Sequence, residues 1–144
     1  MIRKLFLTKE IVSKDGVVHF RRYRLIETPW FSIYIHHILE SDQDKHLHNH
    51  PWHFSSYILY GGYEETRYLN TNGRFVDYLS FTRIVKWKTS FKINEFHKIK
   101  LLKNCCWSLV FTGKRINPEW GYLTEKGFIE SNEYRIRKNK GEFK

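Results

Sequence analysis

A two-residue alternation of apolar and polar side chains runs through most of this chain, and it constrains the fold more than any other feature. The clearest run sets Val85, Trp87, Thr89, Phe91 and Ile93 on one side against Lys86, Lys88, Ser90 and Lys92 on the other. That is the pattern of a strand with one buried face and one wet face. It predicts that Val85, Trp87 and Phe91 are buried while Lys86, Lys88 and Lys92 are exposed. His97, Ile99 and Leu101 alternate with Lys98 and Lys100 in the same way. Trp107 to Phe111 reads as a more deeply buried strand, closed by Gly113. Stretches 32–39, 55–59, 63–69 and 75–81 also read as strands, and the last two flank Asn70-Thr71-Asn72-Gly73. Asn-Gly between two such runs is a hairpin signal.

No long segment carries an apolar stripe at helical spacing. The chain contains no alanine, and aromatic residues make up 17% of it, which favours sheet over a helical bundle. Its 144 residues suffice for one domain with a real core. The expected fold class is therefore all-β, a single sandwich or barrel with few helices. We place the domain at residues 1–134 and expect the basic stretch 135–144 to be a frayed tail.

The only cysteines, Cys105 and Cys106, are adjacent and cannot easily reach unstrained disulfide geometry. A small secreted scaffold stapled by disulfides is excluded. The N-terminal apolar run breaks after Leu7, leaving no signal-peptide core, and no stretch approaches the ~20 apolar residues of a membrane span. The expectation is a reduced, cytoplasmic protein with no membrane partner. No glycine-rich phosphate loop or nucleophile elbow is present.

Six of the eight histidines lie between His36 and His53. On a strand, His46, His48 and His50 project to one face, so two or three imidazoles can converge on one cation. An isolated His-x-His is more often structural. His36 and His37 read as structural, since neighbours point to opposite faces.

The context of this pair is more specific. The segment from His48 to Gly62, with His48-Asn49-His50-Pro51-Trp52 leading into an apolar strand and a Gly-Gly turn, resembles the first motif of the cupin superfamily. The Glu of that motif falls on Ser55 and is missing here. The second cupin motif contributes one further His on a later strand, and His97 is the one candidate after residue 53. More locally, His-x-His-Pro-Trp followed by Gly-Gly-Tyr resembles small, uncharacterised bacterial and phage cupins. The resemblance implies a jelly roll and a metal held by His48, His50 and His97, with His46 as a reserve ligand. Three histidines without the Glu leave two or three positions open on the metal, as in cupin thiol dioxygenases. The resemblance thus implies a divalent cofactor, Fe(II) first, with Zn, Ni or Mn as the other choices.

Further groups are candidates on position alone. Arg115 could hold a substrate anion in bidentate fashion, and Tyr63 could line the pocket. Tyr57 and Glu64 could serve as acid or base; either Glu64 or Glu65 must face inward after Gly61-Gly62. Trp52 and Trp120 read as packing residues. The formal charge of +10 suits a small acidic substrate, and lysines paving one sheet face could attract nucleic acid, which is the less favoured reading. The function expected is an iron oxygenase acting on a small acidic molecule. The alternatives are a cupin isomerase or epimerase using an inward His or Tyr, and a non-enzymatic ligand- or nucleic-acid-binding module. A homodimer through a sheet is a further expectation of the resemblance.

Overall fold

The computed structural model describes residues 7–13, 15–69, 80–116 and 119–143. Among these residues the strands in chain order are β1 (Leu7–Val12), β2 (Val18–Glu27), β3 (Ser32–Ile38), β4 (Leu47–His48), β5 (Phe54–Tyr60) and β6 (Tyr63–Leu69). Then follow β7 (Ser80–Val85), β8 (Lys88–Phe91), β9 (Glu95–Leu101), β10 (Cys106–Thr112), β11 (Gly121–Thr124) and β12 (Gly127–Glu130). One helix, α1 (Ser131–Asn139), closes the chain.

The strands make two six-stranded antiparallel sheets. The first has the order β1-β2-β3-β10-β5-β8 and the second β12-β11-β4-β9-β6-β7. At the centre of each sheet, neighbours in space are far apart in sequence, with β10 between β3 and β5 and β4 and β9 between β11 and β6, which is the jelly-roll arrangement of two facing sheets. Inward residues follow the two-residue period: Cys106, Ser108, Val110 and Thr112 are buried along β10, and Tyr63, Glu65 and Arg67 along β6. At one end of the interior Ile58, Tyr63, Val85 and Cys106 form an apolar cluster. The turn between β5 and β6 needs glycine twice. Gly61 and Gly62 have φ of 86° and 92°, and a Cβ on Gly61 would lie 2.2 Å from the Cys105 carbonyl oxygen.

The structure departs from the sequence reading in two places. The run from Val85 to Ile93 is two strands in different sheets, because the chain crosses between them at Lys86-Trp87. Val85, Thr89 and Phe91 are buried and the three lysines exposed, as the alternation requires, but Trp87 is 79% exposed. At the crossover its backbone carbonyl accepts from Ile58 N–H at 2.8 Å, while its ring lies outside. The hairpin of β6 and β7 is present, though its Asn-Gly turn lies outside the described residues.

The second departure is the C-terminal stretch, which is helical instead of frayed. Glu130 caps α1 by accepting from the Asn132 and Glu133 N–H groups, and Arg137 pairs with Glu133 one turn away. The anchor is Tyr134, 2% exposed and stacked between Tyr122 and Phe143. One inward aromatic in nine residues makes no stripe. Tertiary packing, invisible in the local pattern, holds this helix.

The lysines do not pave a single face. Lys88 lies on β8 in the first sheet and Lys98 and Lys100 on β9 in the second, so the charge is split between the two sheets.

Candidate metal centre

β4 is only two residues long, and this brevity creates the site. His48 lies opposite His97 on β9, and the chain then leaves the sheet so that His50 turns in. Asn49, 4% exposed, holds the departure in place. Its side-chain oxygen accepts from Gly121 N–H at 2.8 Å and its amide donates to the Ile93 carbonyl at 3.2 Å.

His48, His50 and His97 each offer a ring nitrogen, and these atoms lie within 4.8 Å of one another. The Nε2 atoms of His50 and His97 are 2.9 Å apart. His97 Nδ1 stands 2.8 Å from Glu65 Oε1. An ionised carboxylate can only accept, so Nδ1 carries the proton and the Nε2 lone pair is presented to the cluster. Burial holds His48 down to about 4 and His50 well below the ordinary imidazole range, which keeps their lone pairs available. The donor set fits a cation. Ligands at right angles on a metal, with bonds of about 2.0–2.1 Å, stand roughly 2.9 Å apart.

Glu65 is the carboxylate of this site. Burial alone would raise its pKa, but the His97 hydrogen bond, Arg67 and Arg83 outweigh that and hold it at about 2. Arg83 Nε donates to Glu65 Oε2 at 3.0 Å, and Arg67 reaches Glu65, Glu95, Thr89 and the Ser90 carbonyl. Phe54 and Phe91 pack their rings against His50 and His97, which keeps water from that flank.

Several expected participants stand elsewhere. Glu64 occupies the outward phase of β6 and Glu65 the inward one; Tyr63 and Glu64 cannot both face the pocket, because successive side chains alternate. Tyr63 is inward but lies in the apolar end cluster, hydrogen-bonded to Ser56, with its hydroxyl pKa raised by burial. Tyr57 is on the outer phase of β5, against Phe111 and under the Lys88 ammonium. The reserve ligand His46 has both nitrogens occupied: Tyr134 Oη donates to Nδ1 and Nε2–H donates to Glu125, each at 2.9 Å. Arg115 is exposed, its guanidinium carbon 6.0 Å from the Trp52 ring centroid. Ser55, at the missing Glu position, pairs with Ser90 across the outer phase. Trp120 packs against His48. His36 is inward on β3, opposite Arg22 of β2, and His37 stacks on Trp107 outside the cluster. Arg67, Asn49, Arg22 and His36 were not expected as site residues; for Arg67 the signal was present, in phase with Tyr63 and Glu65.

Two facing antiparallel sheets with three inward histidines from β4, its following loop and β9 define a jelly-roll fold of the cupin type with a candidate metal centre. The chain matches no family model and no curated protein. Among solved structures it is similar to the DMSP lyase DddQ from Ruegeria pomeroyi, at 15% identity and a TM-score of 0.52, over 77% of this chain and 55% of that one. It is similar to FeII HppE in complex with substrate, at 9% identity and a TM-score of 0.51, over 74% of this chain and 55% of that one. A third likeness is the Bacillus subtilis oxalate decarboxylase with Mn(II) centres, at 17% identity and a TM-score of 0.52, over 85% of this chain and 32% of that one. At these identities the likeness is one of fold. The chain spans about half the length of the first two.

Proposed function

We propose that this protein is a metal-dependent cupin enzyme, a three-histidine Fe(II) oxygenase acting on a small acidic molecule. The observation that carries the reading is the convergence of His48, His50 and His97, with His97 oriented by a buried carboxylate. His48, His50 and His97 would hold the ion. Iron held by three neutral imidazoles supplies one-electron redox chemistry toward dioxygen while leaving positions open. The chain's own residues do the rest. Glu65 fixes the tautomer and aim of His97, Arg67 and Arg83 keep Glu65 ionised, and Phe54 and Phe91 exclude water on one side. Two free cysteines, Cys105 and Cys106, suit a reducing compartment such as the cytoplasm.

The isomerase reading needs an inward tyrosine or histidine free to move a proton beside the substrate. Tyr57 points outward, Tyr63 is bonded to Ser56 in the apolar cluster, and His46 is spent on Tyr134 and Glu125. The nucleic-acid reading needs a continuous basic face, and the strand lysines are divided between two sheets.

The test is metal analysis of untagged protein, followed by oxygen uptake of the Fe(II)-loaded form against a panel of small carboxylates and phosphonates. One equivalent of metal and substrate-dependent uptake are expected. Failure to hold a stoichiometric ion, or uptake that is the same in His97→Ala, overturns the reading.

A further inference from the structure

A line of residues crosses the first sheet on its inner face: Lys9, Arg22, His36, Ser108 and Ile58 are register partners in turn across β1, β2, β3, β10 and β5. Ser108 and Ile58 are buried, so the line faces the interior. Arg22 lays its guanidinium 4.6 Å from the ring centroid of the inward Tyr34, also inside the sandwich. Two polar atoms on this line are buried without a hydrogen-bond partner, Arg22 Nε and His36 Nε2. Among the described residues no carboxylate forms an ion pair with Arg22 or His36. A buried donor left unmade costs about 1–3 kcal/mol, and more when charged. Arg67 Nε is likewise unpartnered, but Glu65 and Glu95 balance its charge; on this line no such carboxylate is present among the described residues, and an anionic ligand would take its place.

We propose that Arg22 and His36, with Lys9 at the sheet edge, form an oxyanion subsite that binds the carboxylate, phosphonate or phosphate group of the substrate beside the three-histidine centre. Arg22 supplies a planar fork suited to two oxygens, and His36 supplies an Nε2–H donor. The line is electrostatically in touch with the centre: His36 acts on His50, and Lys9 on both His48 and His50. Burial first, then Arg22 and Lys9, push the His36 imidazole down to about 3, so it enters the subsite neutral and adds a donor without adding charge. Lys9, exposed at the sheet edge, is lowered by partial desolvation and by Arg22 and Arg135, which marks an excess of positive charge that an anion would neutralise. Arg115, the sequence-based choice for this role, is exposed beside Trp52.

The assignment deepens the proposed function and rests on it only for the reacting centre next door. The experiment is titration of metal-free, full-length protein with inorganic phosphate and with acetate, followed by calorimetry and by the ring signals of His36. Saturable binding that moves the His36 signals is expected, weakened at least tenfold in Arg22→Met. Arg22→Lys, which keeps charge and fold, should weaken it by a smaller factor, because the fork is lost. Unchanged affinity in both Arg22 variants, or binding that leaves the His36 signals in place, overturns the subsite and leaves the metal reading standing. A protein that holds no metal but loses phosphate in Arg22→Met overturns the metal reading and leaves the subsite standing.

Discussion

Two arginine–histidine pairs occupy register-opposed positions on the inner faces of the two sheets, and they keep different company. In the second sheet Arg67 stands opposite His97, and Glu65, Glu95 and Thr89 surround them with acceptors. In the first sheet Arg22 stands opposite His36, and both keep a buried nitrogen with nothing to bond. The same two residue types thus form a charge-balanced, closed network on one wall and an open one on the other, although Arg67 too keeps a buried Nε without a partner. A network whose charges balance internally serves to hold a neighbour still, and here the neighbour is the His97 ring. An unbalanced one is complete only with a ligand. Sorting buried arginines by whether a carboxylate already balances them therefore separates support from binding more reliably than residue type does.

The contrast can be broken most severely at the metal. Replacing His48 or His97 with Ala should take the bound ion from one equivalent to a trace by elemental analysis, while the β-sheet circular dichroism stays in place. Next comes the closed network. Glu65→Leu strips Arg67 of its principal counter-charge in the interior and should cost about 3–5 kcal/mol in denaturant unfolding. Arg22→Met removes a cation that has no counter-charge among the described residues, together with its unpartnered buried donor, and should stabilise the metal-free fold by about 1–3 kcal/mol. Comparable losses in the two variants would erase the distinction between the walls.

The third effect is graded by pH. His36 has a folded pKa of about 3, set by burial, Arg22 and Lys9, against about 6.5 when unfolded. Between those values the unfolded chain binds a proton that the folded chain does not, so stability falls as pH is lowered from about 6.5 toward 3. The slope from this one residue is about 1.4 kcal/mol per pH unit. The difference in unfolding free energy between the parent and His36→Asn, followed over that window, should show the slope flattening in the variant. The groups facing His36 are Arg22, Lys9 and Tyr34, none of which is a carboxylate that would reverse the sign. The smallest effect is at the helix: Tyr134→Phe removes the hydroxyl that donates to His46 and should cost about 0.5–1.5 kcal/mol in melting experiments.

Most of the architecture was legible because a two-residue period is a local property. The strand starts at Ser32 and Tyr63 and the inward phase of β9 followed from it directly, while β9 itself begins two residues before His97, at Glu95. The centre was legible because His48 and His50 are close in sequence and His97 shares its phase with Ile99 and Leu101. What failed was non-local. Trp87 keeps the alternation yet lies outside, since only the crossover between sheets decides its facing. Glu64 in place of Glu65 was an error of phase that Tyr63 alone would have corrected. The alternation extends the strand back to His46, whereas β4 begins at Leu47 and α1 claims the imidazole. The value of Arg22 and His36 rests on the absence of a partner, and no sequence pattern records an absence.

Asn49 draws a different lesson from the shortness of β4. Its carboxamide accepts from Gly121 and donates to Ile93, which is what a peptide group would do if the strand continued. The side chain is a surrogate peptide, splicing the sheet together at the point where the main chain has departed. Asn is matched to this task because its side chain duplicates a peptide group, whereas Asp would lack the donor. By letting the backbone leave the lattice without leaving a gap in it, one residue turns the end of a strand into a corner, and His50 stands on the far side of that corner.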